Sequence, residues 1–270
     1  MILTSVVAAL ALQPVPQADP LTIGERYVLT ALEAEREVNV VLPLSYGEEP
    51  ERRYPVVYML DGGEAQDLMM GVGIARWTQM WGRTEDFILV GVETKDRQRE
   101  LLPPTTNREA LKAWPTAGES ATFRSWLGGT VMPMIADRYR ADGREFLFGE
   151  SAAGHFVIET LLAEPDLFDG YAAISPSLWW EKQSMARMAE ATRAGAAPLF
   201  ISIADEGETM DAGVRRVVAA RGDAPTCFAD RPNLTHAVTY HALLPGALQY
   251  LLPGSDELPA EWGMVPGCTE

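Results

Sequence analysis

A serine hydroxyl is a weak nucleophile at neutral pH and gains reactivity from a base that is itself oriented by a carboxylate. One serine of this chain stands in a setting suited to that chemistry. Ser151 lies in Phe148-Gly149-Glu150-Ser151-Ala152-Ala153-Gly154, a G-x-S-x-[GA] pattern between an expected strand and an expected amphipathic helix. At such an elbow the serine is held in a strained backbone conformation and its hydroxyl is exposed at the top of a sheet. The residues two before and two after it must be small, because strand and helix nearly collide there. Gly149 and Ala153 meet that demand, and Gly154 relieves the helix start further. The competing reading is that Ser151 merely caps the helix beginning at Ala152.

The chain has three histidines. His155 lies one helical turn beyond Ser151, so its ring points along the helix and not over the hydroxyl, as a helix-surface or packing residue. His236 and His241 fall after the last strong strand signal, where a loop could return over the sheet, and position and turn context favour His236 as the base. His241 begins an apolar run leading into a final helix. In an α/β hydrolase the acid comes between serine and histidine in chain order. The cluster Asp205-Glu206-Gly207-Glu208 follows an expected strand there, leaving Asp205 and Glu206 as candidates. Acids also favour a helix N-terminus for its dipole alone. A developing oxyanion needs two backbone N–H donors. Ala152, at the first turn of the elbow helix, supplies one, and Gly63, in the turn after an earlier strand, fits the second. The plain alternative for Gly62-Gly63 is a tight turn.

These residues need a sheet to hold them. Expected strands cover 26–30, 37–42, 55–60, 87–92, 145–148, 171–174 and 199–203. Expected helices cover 65–80, 123–139, 152–162, 178–194 and 209–220. Strand alternating with helix implies an α/β fold, a mostly parallel central sheet with helices on both faces. Ligands bind outside the carboxyl ends of such strands, where the candidates above lie. The polar, proline-bearing stretch 96–118 reads as a long surface loop. Ser175-Pro176 reads as a helix cap with proline in the first turn.

Length and composition suit one large domain: 270 residues, 47% of them hydrophobic, are enough for a full core. A net charge of −16 argues against nucleic acid and anionic membranes as partners. Residues 2–12 are apolar or small but too short to span a bilayer, and a proline-rich polar stretch follows. Residues 1–20 are therefore expected to be a signal peptide or a disordered segment, and 21–270 a single domain that is exported to the periplasm or secreted. The two cysteines, Cys227 and Cys268, have no neighbouring cysteine or histidine to make a zinc site. No metal and no organic cofactor is expected. The oligomeric state is left open.

With these pieces placed, the chain resembles the putative-esterase branch of the α/β-hydrolase superfamily, which includes enterochelin esterases, feruloyl and acetyl-xylan esterases and secreted mycolyltransferases. The likeness runs from about residue 36 to about 252. It is carried by Tyr54-Pro55-Val56-Val57-Tyr58-Met59-Leu60-Asp61-Gly62, by Asp96-Arg97-Gln98-Arg99-Glu100, by the elbow, and by Ser175-Pro176-Ser177-Leu178-Trp179-Trp180. It implies an α/β-hydrolase fold and a serine esterase acting on a small-molecule ester, with Ser151 as nucleophile and His236 as base. Glu206-Gly207-Glu208-Thr209-Met210 matches the family's acid-bearing pattern, which selects Glu206 over Asp205. Trp179 and Trp180 wall the substrate pocket in such proteins. Arg97 is expected to tie down the long loop by ion pairs, or to hold an anionic or polyhydroxylated substrate. Acyl transfer on the same site, and a catalytically inactive binding protein of the same fold, are the alternatives.

Overall fold

Side-chain alternation along the central strands sorts the core into two layers. In β3 (Tyr54–Leu60) every residue is buried. Val56, Tyr58 and Leu60 join one hydrophobic cluster, and Val57 and Met59 join the other, as the two-residue period of a strand dictates. A strand buried on both faces belongs in the middle of a sheet covered by helices on each side. The computed structural model describes residues 18–192, 195–254 and 258–269. The apolar segment 2–12, read as a leader, lies outside the described residues.

The remaining strands are β1 (Glu25–Ala31), β2 (Ala34–Val41), β4 (Ile88–Val92), β5 (Ala141–Glu150), β6 (Gly170–Ile174), β7 (Leu199–Asp205) and β8 (Thr226–Thr235). They form one eight-stranded sheet in the order β1-β2-β4-β3-β5-β6-β7-β8. The β1–β2 and β2–β4 pairs are antiparallel, and all pairs from β4 to β8 are parallel. One face is covered by α1 (Leu68–Met80) and α9 (His236–Leu251). The other carries α4 (Ser120–Trp126), α5 (Met132–Arg138), α6 (Ala152–Ala163), α7 (Trp180–Thr192) and α8 (Glu208–Arg221). This is the α/β architecture expected from the alternation of strand and helix, a mostly parallel sheet with helices on both faces.

Four local expectations are corrected. Stretch 96–118 is not bare loop: it contains α2 (Arg97–Leu101), whose N-terminus is capped by the Asp96 side chain, and α3 (Arg108–Ala113), capped by Asn107. Elements of five or six residues are too short to show a 3.6-residue period. The helix expected over 123–139 contains a π-helical turn at Leu127–Val131, where two adjacent glycines soften the backbone. Ser175 is not a helix cap. Its φ is +44°, its N–H donates to Ser202 Oγ at 3.1 Å, and α7 opens only at Trp180, with Glu181, Lys182 and Gln183 in left-handed conformation before the regular helix. The fourth is β8, which the sequence conceals because Asp230, Pro232 and Asn233 are poor strand formers. Pro232 is tolerated since β8 is an edge strand and its pairing with β7 slips there: Ala204 faces Arg231, but Asp205 faces Thr235.

A disulfide joins Cys227 in β8 to Cys268. It brings the C-terminal tail alongside the strand, where Thr269 N–H donates to Phe228 O at 2.6 Å and Asp230 N–H to Thr269 Oγ1 at 2.9 Å.

Candidate active site

Strand β5 runs straight into the elbow. Ser151 has φ +60° and ψ −116° and makes no side-chain cap bond to the helix that follows, so helix capping does not account for it. The conformation is costly for a residue with a Cβ, and neighbouring backbone bonds hold it: Ser151 N–H donates to Ile174 O at 3.1 Å, and Ser177 N–H to Ser151 O at 2.9 Å. Gly149 is obligatory, since a Cβ there would stand 2.6 Å from the Ala153 carbonyl carbon.

The slip between β7 and β8 places the other two groups. Because Asp205 faces Thr235, the residues that follow the two strand ends, Glu206 and His236, meet just beyond the carboxyl edge of the sheet. His236 Nδ1 lies 2.5 Å from Glu206 Oε1, and Nε2 lies 3.0 Å from Ser151 Oγ. Glu206 has a side chain only 2% exposed, whereas that of His236 is 44% exposed. The hydrogen bond that His236 donates to Glu206 raises the histidine's pKa above its ordinary value, against the opposing pull of burial. Asp205 is exposed at the end of β7 and His241 is exposed on α9. His155 is wholly buried, and burial lowers its pKa to about 4.

Two polar neighbours were not singled out by the sequence. Ser177 Oγ lies 3.3 Å from Ser151 Oγ. Glu150, the variable residue of the elbow pattern, has Oε1 3.5 Å from His236 Nε2. Nothing about a residue type at a variable position announces such a contact; the elbow geometry alone turns Glu150 toward α9.

A cavity of about 550 Å³ opens over Ser151, walled by Lys95, Arg97, Trp114, Ala152, Ser177 and Trp179 among others. Ala152 opens α6, and the first N–H groups of a helix have no intrahelical acceptor. Gly63 is not brought to this wall. Its N–H donates to Gln66 Oε1 at 3.0 Å, and the adjacent Gly62 is required for packing, as a Cβ there would sit 2.3 Å from Gly91 Cα. Of the two tryptophans, Trp179 faces the cavity. Trp180 does not: it is 1% exposed and packs into the core. Trp114 sits against both, with ring centroids 4.8 Å and 5.6 Å away. Loop position hid Trp114, since an aromatic in a polar stretch carries no periodic signal.

Arg97 ties down its segment by an ion pair. Its Nε and Nη2 grip Asp61 at 2.9 Å and 2.8 Å, and it also lines the cavity. Its helix is fixed from beneath by Glu100, which accepts the N–H of Lys95 at 3.0 Å and pairs with the buried Arg36 at 2.9 Å. Among the described residues, no group of histidine, cysteine and carboxylate side chains could hold a metal ion, and no helix is long and apolar enough to cross a membrane.

Comparison with known proteins adds the following. The family model described as "Putative esterase" matches residues 30–204, well over half of the chain. The ferri-bacillibactin esterase BesA of Bacillus subtilis (strain 168) is 33% identical over 147 residues, 49% of this chain and 51% of that protein, so the match spans about half the length of that relative. Among solved structures, the BES protein from Bacillus cereus superposes with a TM-score of 0.75 at 21% identity, covering 88% of this chain and 98% of that one. The siderophore hydrolase EstB from Aspergillus nidulans gives 0.76 at 16% identity, with 88% and 97% covered. At these identities the two structures establish a common fold. Ser151 lies within the stretch matched by the family model, and Glu206 and His236 lie beyond it.

Proposed function

The chain belongs to the esterase family, and from that premise we propose that it hydrolyses carboxylic esters through an acyl-enzyme formed on Ser151. The observation that carries the proposal is the hydrogen-bonded line from Glu206 through His236 to Ser151, 2.5 Å and 3.0 Å in its two links. In this mechanism Ser151 Oγ attacks the ester carbonyl as His236 Nε2 takes its proton, and Glu206 steadies the imidazolium. The Ala152 N–H supports the oxyanion. Collapse of the tetrahedral intermediate expels the alcohol, which takes the proton from Nε2. Water then attacks the acyl-enzyme, giving up a proton to His236, and releases the acid with Ser151 restored.

The cavity wall suits an anionic or polyhydroxylated aromatic acyl group: Lys95 and Arg97 offer positive charge, and Trp114 and Trp179 offer ring faces. Together with relatives named as siderophore esterases, this makes a siderophore ester the substrate class to test first. Replacing Trp114 with alanine removes one of those rings. An aromatic contact worth about 1 kcal/mol corresponds to a five- to tenfold rise in KM for an aryl-acyl ester, with KM for an acetyl ester nearly unchanged. Steady-state kinetics on the two esters checks it.

Export is part of the same reading. The Cys227–Cys268 disulfide fits an oxidising compartment, as the apolar run at 2–12 would require. The direct test of the enzymatic reading is fluorophosphonate labelling followed by peptide mapping. We expect one adduct, on Ser151; a folded protein that takes up no label there and hydrolyses no ester on a broad panel overturns the reading.

A further inference from the structure

His236 is the first residue of the sixteen-residue helix α9, and the positive end of a helix disfavours an imidazolium. The reaction proposed above nevertheless forms one at that place twice per turnover. Glu206 compensates at Nδ1. A second carboxylate stands at the other ring nitrogen: Glu150 Oε1 is 3.5 Å from Nε2, with the Glu150 side chain 17% exposed. Thr239 Oγ1, one turn along α9, lies 3.3 Å from that same oxygen and 3.0 Å from the His236 carbonyl, between which its one proton is shared. Glu150 is thus tied to the helix that carries the base, and it faces the one nitrogen through which the proton must pass.

We propose that Glu150 is a positioning residue acting through His236, its carboxylate holding the protonated ring from the Nε2 side. This rests on the Ser151–His236 reading. Before reaction, Nε2 faces two oxygens, Ser151 Oγ at 3.0 Å and Glu150 Oε1 at 3.5 Å. Once Oγ has given up its proton and bonded to the acyl carbon, the new Nε2–H keeps Glu150 as a charged acceptor. The proton is held beside the leaving oxygen until the C–O bond breaks and the alcohol carries it away. No co-reactant is needed, and Glu150 ends the cycle in its starting state.

The charges facing this pair come from several elements. Glu206 approaches from the turn after β7, Arg97 from α2 and Asp67 from the residue before α1. The phenol of Tyr240, on α9 itself, also faces Glu150. Burial outweighs the opposing charges of His236 and Arg97 and leaves the Glu150 carboxyl raised to about 7. The Glu150 charge in turn adds to Glu206 in raising His236, and Arg97 opposes both. Neutralising Glu150 removes one of the two nearest anions and must therefore lower the histidine pKa. The base is then free at more acidic pH.

The experiment is the pH profile of Glu150→Gln, read as kcat/KM on a neutral p-nitrophenyl ester and as the rate of fluorophosphonate labelling. An opposite charge at this range shifts a titration by about one pH unit or more. We expect the acid limb of both profiles to move down by about one unit, with the alkaline plateau several-fold below wild type. Glu150→Asp, which keeps the charge, should stay closer to the wild-type limb. A limb that stays in place or moves upward in Glu150→Gln overturns the proposal, since a purely structural residue would lower the plateau without moving the limb. If Glu150→Gln does not fold, Glu150→Ala carries the same expectation. A wild-type protein that neither labels nor hydrolyses sinks the Ser151 reading and this proposal with it; a reactive wild type with an unmoved limb sinks only the role of Glu150.

Discussion

Ser151→Ala is expected to lower ester hydrolysis by roughly 10⁴-fold or more, the scale seen when a serine–histidine pair loses its nucleophile. The fold should be untouched, because the hydroxyl bonds only to His236 and Ser177 and neither depends on it for packing. Ser151→Gly should remove activity to the same degree while changing stability in the opposite sense to most substitutions. The backbone at φ +60°, ψ −116° costs a residue with a Cβ about 1–3 kcal/mol, and glycine escapes that cost. Against it stands the greater freedom of glycine in the unfolded chain, about 0.5–1 kcal/mol. The net expectation is a gain of about 1 kcal/mol over Ser151→Ala, read from urea unfolding of the two variants. Equal midpoints would mean that the elbow is not strained. Turnover by Ser151→Ala close to wild type would mean that the chemistry lies elsewhere.

The second large effect separates the two late histidines. His236→Ala should cost nearly as much as loss of the serine, since the two act as a unit and their losses do not add. His241→Ala should leave kcat/KM within about twofold of wild type, as expected for an exposed helical position away from the site. Glu206→Gln keeps the hydrogen-bond length but takes away the charge and lets the wrong tautomer form, for which a loss of about 10³–10⁴-fold is the precedent. The comparison of the three by steady-state kinetics is decisive: if His241→Ala is the silent enzyme, the base has been assigned to the wrong side of the helix.

How far these residues could be read in advance depended on what each had to satisfy locally. The elbow was legible because steric demand restricts Gly149 and Ala153 to small side chains, and that restriction is written in residue type. β3, β4 and β6 were legible because strands buried on both faces must be apolar throughout. The partner of Ser151 was harder. His236 owes its place to the slip between β7 and β8, and β8 hid behind Pro232 and two poor strand formers. Glu206 and Asp205 differ by one residue in a strand register that only the paired structure fixes. Glu150 and Trp114 were opaque for a simpler reason: each faces the site through tertiary contact, from a position where the local chain tolerates any residue. The two adjacent tryptophans illustrate the same limit, for Trp179 faces the cavity and Trp180 turns into the core.

The tail held beside β8 bears on how the protein must be made. A bare edge strand offers its unused N–H and C=O groups to any passing chain, which is a route to strand exchange and aggregation. Here Thr269 occupies part of that edge in cis, and the Cys227–Cys268 bond acts as a latch on it. The same polypeptide produced with its thiols reduced would carry an unlatched edge, next to the strand that delivers His236. Oxidative production and an affinity tag kept away from the C-terminus are therefore conditions for a monodisperse preparation.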